Sequence, residues 1–181
     1  MKSRTMTIAG LTVLTLTAPN MATAFATPAL ADTVTPIVWC DDGYYLRTFS
    51  SGLTSTPHDF TETIIGALSD CTSPAISGDP TVNGVATFRG SGTGTGSCTD
   101  DGTMSEAWEV EWANGRTSTI TFSTAVKAGK ASILSTGTVT AGEFMGTKII
   151  GTPIAADDNV ACGTQQGMTD ELGRIPTLVA L

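Results

Sequence analysis

The chain has 181 residues, a formal net charge of −8, 20 glycines, 4 cysteines and a single histidine. That length suits one globular domain with a real core. The acidic balance argues against nucleic acid and anionic membranes as partners, because both require basic patches.

At the N-terminus, Lys2 and Arg4 precede an apolar, Thr-diluted stretch from Met6 to about Leu16, and small residues then lead to Ala29-Leu30-Ala31. This is the layout of a secretory signal with an A-x-A cleavage motif. Residues 1–31 are therefore expected to be a signal peptide, and 32–181 a single secreted domain. The apolar stretch falls short of the ~18–20 residues that span a bilayer, so no membrane insertion is expected after processing. Cleavage would remove two basic residues and no acidic one. Seven basic and seventeen acidic residues would remain, a net charge of −10. Such acidity serves the solubility of an exported protein.

Beyond the signal, Thr, Ser and Gly dominate, apolar residues alternate with a period of two, and no persuasive 3.6-residue period appears. Strands are expected over Thr33–Trp39, Gly43–Ser50, Asp59–Ser69 and Val85 to about Ser91, the last running into the glycine-rich segment Gly92–Gly96. The sharpest element is a hairpin. Trp108, Val110 and Trp112 share one face, Glu109 and Glu111 the other, with a turn at Asn114-Gly115. A strict two-residue turn would oppose aromatics to threonines. Burial instead favours pairing Val110 with Ile120 and Trp108 with Phe122, through an odd-length loop or a G1-type bulge. Val126 to Lys130 links to a second hairpin, Ser132–Thr140 with Thr147–Ile154, and a short strand ends the chain at Thr177–Leu181. The expected fold is an all-β antiparallel meander of eight to ten strands closing as a barrel, with a sandwich as the alternative.

The four cysteines, Cys40, Cys71, Cys98 and Cys162, all follow the signal, and an even number in an exported chain predicts two disulfides. Three pairings are possible. Cys40–Cys71 with Cys98–Cys162 is favoured because each bridge then ties neighbouring regions of a sequential sheet. A zinc site is disfavoured by the absence of C-x-x-C and by the single histidine, His58.

Three segments carry a resemblance: Leu68-Ser69-Asp70-Cys71-Thr72, Trp112-Ala113-Asn114-Gly115-Arg116-Thr117-Ser118-Thr119, and the hairpin Gly137 to Gly146. Together they are similar to a group of small exported actinobacterial all-β proteins with no assigned function. The resemblance spans roughly Thr61 to Cys162 and implies export and an all-β fold, with no catalytic residues to carry over. Met168 to Arg174 departs from it, reading polar and helix-permissive where another strand is expected.

No catalytic residue stands out. Gly90–Gly96 fails the G-x-G-x-x-G spacing and lacks a P-loop lysine, so an alternating Gly/Thr strand at a close approach or bend is the better reading. Asp59 beside His58 would face the other way on a strand, and no G-x-S-x-G elbow exists. Glu109 and Glu111 share a face opposite the Trp/Val stripe, where a wet outer surface is expected. Asp100 and Asp101 follow Cys98, and Asp157 and Asp158 precede Cys162. A Cys98–Cys162 bridge would bring these carboxylates to one sheet end, where they would suit Ca²⁺ as the one conceivable cofactor. Trp39, Tyr44, Tyr45, Trp108 and Trp112 are the aromatics expected either to line a ligand site or to form core. The reading is an exported, disulfide-stapled β module that binds a small molecule or a protein without enzymatic chemistry. A carboxylate-based, glycosidase-like hydrolase and a structural cell-envelope protein are the alternatives.

Overall fold

The computed structural model describes residues 35–126, 134–155 and 160–181. Period-two alternation governs nearly every element. The eleven strand segments are β1 (Val38–Cys40), β2 (Asp42–Leu53), β3 (His58–Cys71), β4 (Gly84–Gly96), β5 (Gly102–Glu111), β6 (Thr117–Val126), β7 (Leu134–Gly142), β8 (Lys148–Gly151), β9 (Ile154–Ala155), β10 (Met168–Arg174) and β11 (Leu178–Ala180). Two short 3₁₀ turns, Pro80–Val82 and Val160–Gly163, are the helical segments among the described residues. No described helix is long and apolar enough to cross a membrane.

All segments join one antiparallel sheet. From β2 to β8 each strand pairs with the next in sequence. The remaining pairs bring the sheet back on itself, because β11 pairs with both β1 and β8, while β10 pairs with both β2 and β9. The segments β1/β2, β8/β9 and β10/β11 are halves of three bent courses, 38–53, 148–155 and 168–180. Ile175, at one bend, still donates its N–H to Gly43 O at 2.9 Å. Following the hydrogen bonds round the sheet therefore returns to the starting strand, and the meander is barrel-like.

Cys40 is bonded to Cys71 and Cys98 to Cys162, and no described cysteine is free. The first bridge sits beside a two-way backbone contact, Trp39 N to Thr72 O at 2.9 Å and Thr72 N to Trp39 O at 2.7 Å, which closes one rim. The second ties the loop after β4 to the turn before β10.

The hairpin β5–β6 keeps the expected faces but not the expected partners. Trp108 opposes Ile120, Val110 opposes Ser118 and Glu106 opposes Phe122, a shift of two residues. The loop is indeed odd, but shorter than that pairing required. Trp112 N bonds Arg116 O at 2.9 Å, and Gly115 takes a positive φ of 79° to turn the chain in three residues. A shift of two preserves inward and outward parity, so burial did not discriminate between the registers. Met168–Arg174, helix-permissive in sequence, is strand β10, because its partner β2 supplies a regular ladder from Asp170 to Arg174, with a register irregularity before it at Met168. The linker expected over Val126 to Lys130 lies largely outside the described residues.

Inside, Phe88 stacks on Trp108 with centroids 4.4 Å apart, and Phe122 tilts against the other side of Trp108 at 4.5 Å. Trp108 is 3 % exposed, and burying a side chain of this size contributes about 2–3 kcal/mol. Room for these rings comes from the inner face of β4. A Cβ at Gly90 would lie 2.6 Å from Trp108 Cδ1, and one at Gly94 would lie 2.5 Å from Phe60 Cζ. The glycine-rich run is thus strand, and its missing side chains let bulky residues of β3 and β5 lean over it.

Candidate functional site

The apolar interior is divided in two. One cluster contains Tyr45, Ile64, Trp108 and Ile120, and the other contains Phe49, Phe60, Met104 and Met168. Between them, at the same inward parity, lie Arg47 on β2, Glu62 on β3, Glu106 on β5 and Glu171 on β10. The order along each strand makes this explicit: Tyr45-x-Arg47-x-Phe49, Phe60-x-Glu62-x-Ile64 and Met104-x-Glu106-x-Trp108. Arg47 is 1 % exposed, Glu62 and Glu106 3 %, and Glu171 7 %.

Arg47 holds this layer together. Its Nη1 donates to Glu171 Oε1 at 2.9 Å, its Nη2 to Glu106 Oε2 at 3.2 Å, and its Nε faces Glu62 Oε2 in an ion pair. Tyr45 OH donates to Glu171 Oε1 at 2.8 Å, Trp108 Nε1 to Glu106 Oε2 at 2.8 Å, and Thr124 Oγ1 to Glu106 Oε1 at 3.1 Å. Glu62 and Glu106 both pair with Gly92, one from each side. A Cβ at Gly92 would lie 2.7 Å from Glu62 Oε1 and 3.0 Å from Glu106 Cγ, so glycine is what lets the two carboxyl groups meet.

Three carboxyl groups face one guanidinium, and the titration reflects the excess. Burial pushes the Glu62 carboxyl up to about 7. Arg47 opposes that rise, and the Glu106 and Glu171 charges add to it. Burial disfavours the Arg47 guanidinium charge, but Glu106, Glu62 and Glu171 outweigh it and hold its pKa above the ordinary value. Burial first, then the Glu171 charge, raises the Tyr45 phenol far above its usual range. Near neutrality Glu62 is therefore partly protonated. Apolar clusters flank the layer on either side.

The expected ligand-binding aromatics do not converge. Tyr45, Trp108 and Trp112 are buried core residues, Trp39 is half-buried beside the Cys40–Cys71 bridge, and Tyr44 points outward at 62 % exposure. Trp112 packs edge-on against Phe144 at 5.4 Å and donates Nε1–H to Ser118 Oγ at 2.8 Å. Asp100 sits in the loop after β4, where its Oδ2 accepts from Ser97 Oγ at 2.9 Å. Asp101 lies beside it on the same exposed loop, and Asp157 and Asp158 lie outside the described residues. No group of three or more His, Cys, Asp or Glu among the described residues is placed to hold a metal. Glu109 and Glu111 are on the outer face as expected, with Glu109 accepting from Arg89 Nη2 at 2.7 Å. His58 contacts Thr56 O through Nδ1 at 3.0 Å.

Outside, the sheet carries mostly threonine, serine and charged pairs. A hollow of about 560 Å³ between β3, β4 and β5 is lined chiefly by hydroxyls, with Asp59 accepting from Thr95 Oγ1 at 2.7 Å. An apolar patch on β2 and β3 interrupts this polar surface. Leu46 and Ile65 are direct cross-strand partners, 40 % and 57 % exposed, with Tyr44 and its partner Ala67 in the next row.

Sequence reasoning missed both features. The charged layer had a signal: a charge at an inward parity position on three separate strands. The outer patch had none, because it depends on which residue of β3 lies opposite Leu46. No known protein family, curated protein or solved structure matches the chain.

Proposed function

We propose that this is an exported, non-enzymatic binding module that meets a protein partner with the outside of its barrel and holds no small ligand inside. The observation that carries the reading is the exposed pair Leu46 and Ile65, with Tyr44 beside them and Leu172 opposite Leu46, a contiguous apolar surface on the outer face of the sheet. Contiguous exposed apolar patches of this kind mark interaction sites more often than isolated exposed residues do. The interior supports the same reading from the other side. Its aromatics stack on one another, and its Arg47 pairs with Glu62, Glu106 and Glu171 within the barrel. A hydrolase would need two acids across an open cleft, whereas Glu109 is engaged by Arg89 on a convex wall.

An apolar fluorescent dye, anilinonaphthalene sulfonate, tests this on the processed protein. Weak dye emission that falls in Leu46→Glu, with the buried tryptophan emission unchanged, is the expected result. Saturable uptake that survives Leu46→Glu and quenches the tryptophans would place a ligand in the interior and overturn the proposal.

A further inference from the structure

The partner chemistry can be read further from the charges that border the apolar patch; this rests on the outer-face reading above. We infer that the partner is a second copy of the same chain, packed side by side with strands β2 antiparallel. Consider the outward residues around Leu46. Along β2 they run Asp42, Tyr44, Leu46, Thr48. On the neighbouring strand β10, Asp170 lies opposite Thr48, the half-exposed Leu172 opposite Leu46, and Arg174 opposite Tyr44. The patch is thus flanked on that side by one acid and one base, each one step along the strand from the row of Leu46.

A homodimer interface is self-complementary under a two-fold axis. Place that axis across the strands, through the row containing Leu46 and Ile65. Each row then faces its mirror position in the other copy. Leu46 meets Leu46, Ile65 meets Ile65, and Tyr44 lies over the aliphatic part of Thr48. Arg174 meets the partner's Asp170, and this happens twice. The other in-plane axis, along the strands, would pack the barrels parallel and set Arg174 over Ala67 or another neutral position, with no charge matched. The charges therefore select the antiparallel arrangement.

The remaining charged groups do not oppose it. Arg174 also pairs with Asp42 through Nη2 at 2.9 Å, and Asp170 accepts from Thr48 Oγ1 at 2.9 Å, so both are held pointing along the outer surface. Arg89 lies opposite Ile65 on the far side, already engaged by Glu109. It sits two strands from β2, where the curve of the barrel carries it away from the contact. Two convex barrels meeting along one strand bury less than the ~800 Å² per partner of a standard interface, so the dimer is concentration-dependent rather than obligate.

Sedimentation equilibrium of the processed protein tests the inference, with circular dichroism and thermal melting as checks of folding. The expected result is a monomer–dimer equilibrium with an apparent Kd in the range of about 10–500 μM. Leu46→Glu and, independently, Ile65→Lys should each leave the fold intact and abolish dimerisation. Asp170→Arg alone should weaken it at least about tenfold, since it sets like charges together at two symmetric contacts. The swap Asp170→Arg with Arg174→Asp should restore it to within about threefold of wild type. A protein monomeric at about 1 mM would overturn the inference. So would a dimer that persists unchanged in both Leu46→Glu and Ile65→Lys, or a charge swap that fails to rescue. A monomer that still loses dye emission in Leu46→Glu leaves the outer-face reading standing and removes only the second copy.

Discussion

Replacing Glu62 by glutamine tests the charged layer directly. The side chain keeps its shape, so Gly92 still leaves room for it and the apolar packing on either side is undisturbed. What changes is titration. In the unfolded chain a glutamate carboxyl titrates near 4.3. In the barrel, burial and the neighbouring acids raise Glu62 to about 7. A raised acid binds more protons folded than unfolded between those values, so its contribution is fully present below about pH 4 and is lost as pH rises through 7. Taking about 1.4 kcal/mol per unit, wild type should lose about 2–3 kcal/mol from this group between pH 5 and pH 8. Glu62→Gln removes that loss. Relative to wild type, the variant should gain about 2–3 kcal/mol across that interval, or roughly 5–10 °C in Tm for a domain of this size. Urea unfolding at pH 5, 6.5 and 8, followed by tryptophan emission, reads it. A wild-type/variant difference that stays flat with pH, or that changes in the opposite direction, would refute the reasoning about Glu62.

Five further changes test other parts of the fold. Arg47→Met removes the one cation among three buried acids and should cost about 3–5 kcal/mol at pH 7, with partial recovery at acid pH; denaturant midpoints at two pH values check both. Gly92→Ala would set a methyl 2.7 Å from Glu62 Oε1 and from Ser105 O. It should destabilise by about 1–3 kcal/mol, while Gly151→Ala, with nothing within 4 Å of the new atom, should stay within about 0.5 kcal/mol. Trp108→Ala should cost about 3–5 kcal/mol through the cavity left between Phe88 and Phe122, seen as an earlier thermal transition. Joint replacement of Cys98 and Cys162 by serine opens a loop of 64 residues and should cost about 4 kcal/mol by the chain-entropy argument, measured by guanidinium unfolding.

Much of the sheet was legible because its rule is local. The stripe Trp108, Val110, Trp112 set the inward face of β5, and the opposite face bearing Glu109 and Glu111 is solvated. The same rule also reaches Glu106, two residues before Trp108, whose inward position outweighs the surface preference of a carboxylate. Tyr44 and Tyr45 show the converse. Adjacent strand residues face opposite ways, so they could not line one site together. Met168–Arg174 read as helix-permissive because its polar residues carry little β preference, and its strand state comes from β2, more than a hundred residues earlier. Registers between distant strands are tertiary facts. That is why neither the Leu46–Ile65 pair nor the meeting of Glu62 and Glu106 across Gly92 could be read from spacing, although all of these residues were in view.

The circular hydrogen-bonding of the sheet bears on how the protein reaches its native state. Closing the circle needs 168–180 laid between 148–155 and 38–53, so the last-made strands seal the first-made ones. Until they arrive, two unsatisfied margins are exposed, and any extended peptide can add to them; once they arrive, these two margins are paired. Contacts this distant in sequence form slowly. The interval of danger for this molecule is thus its assembly, and a truncation removing β10 and β11 should leave a protein that precipitates through its own open margins.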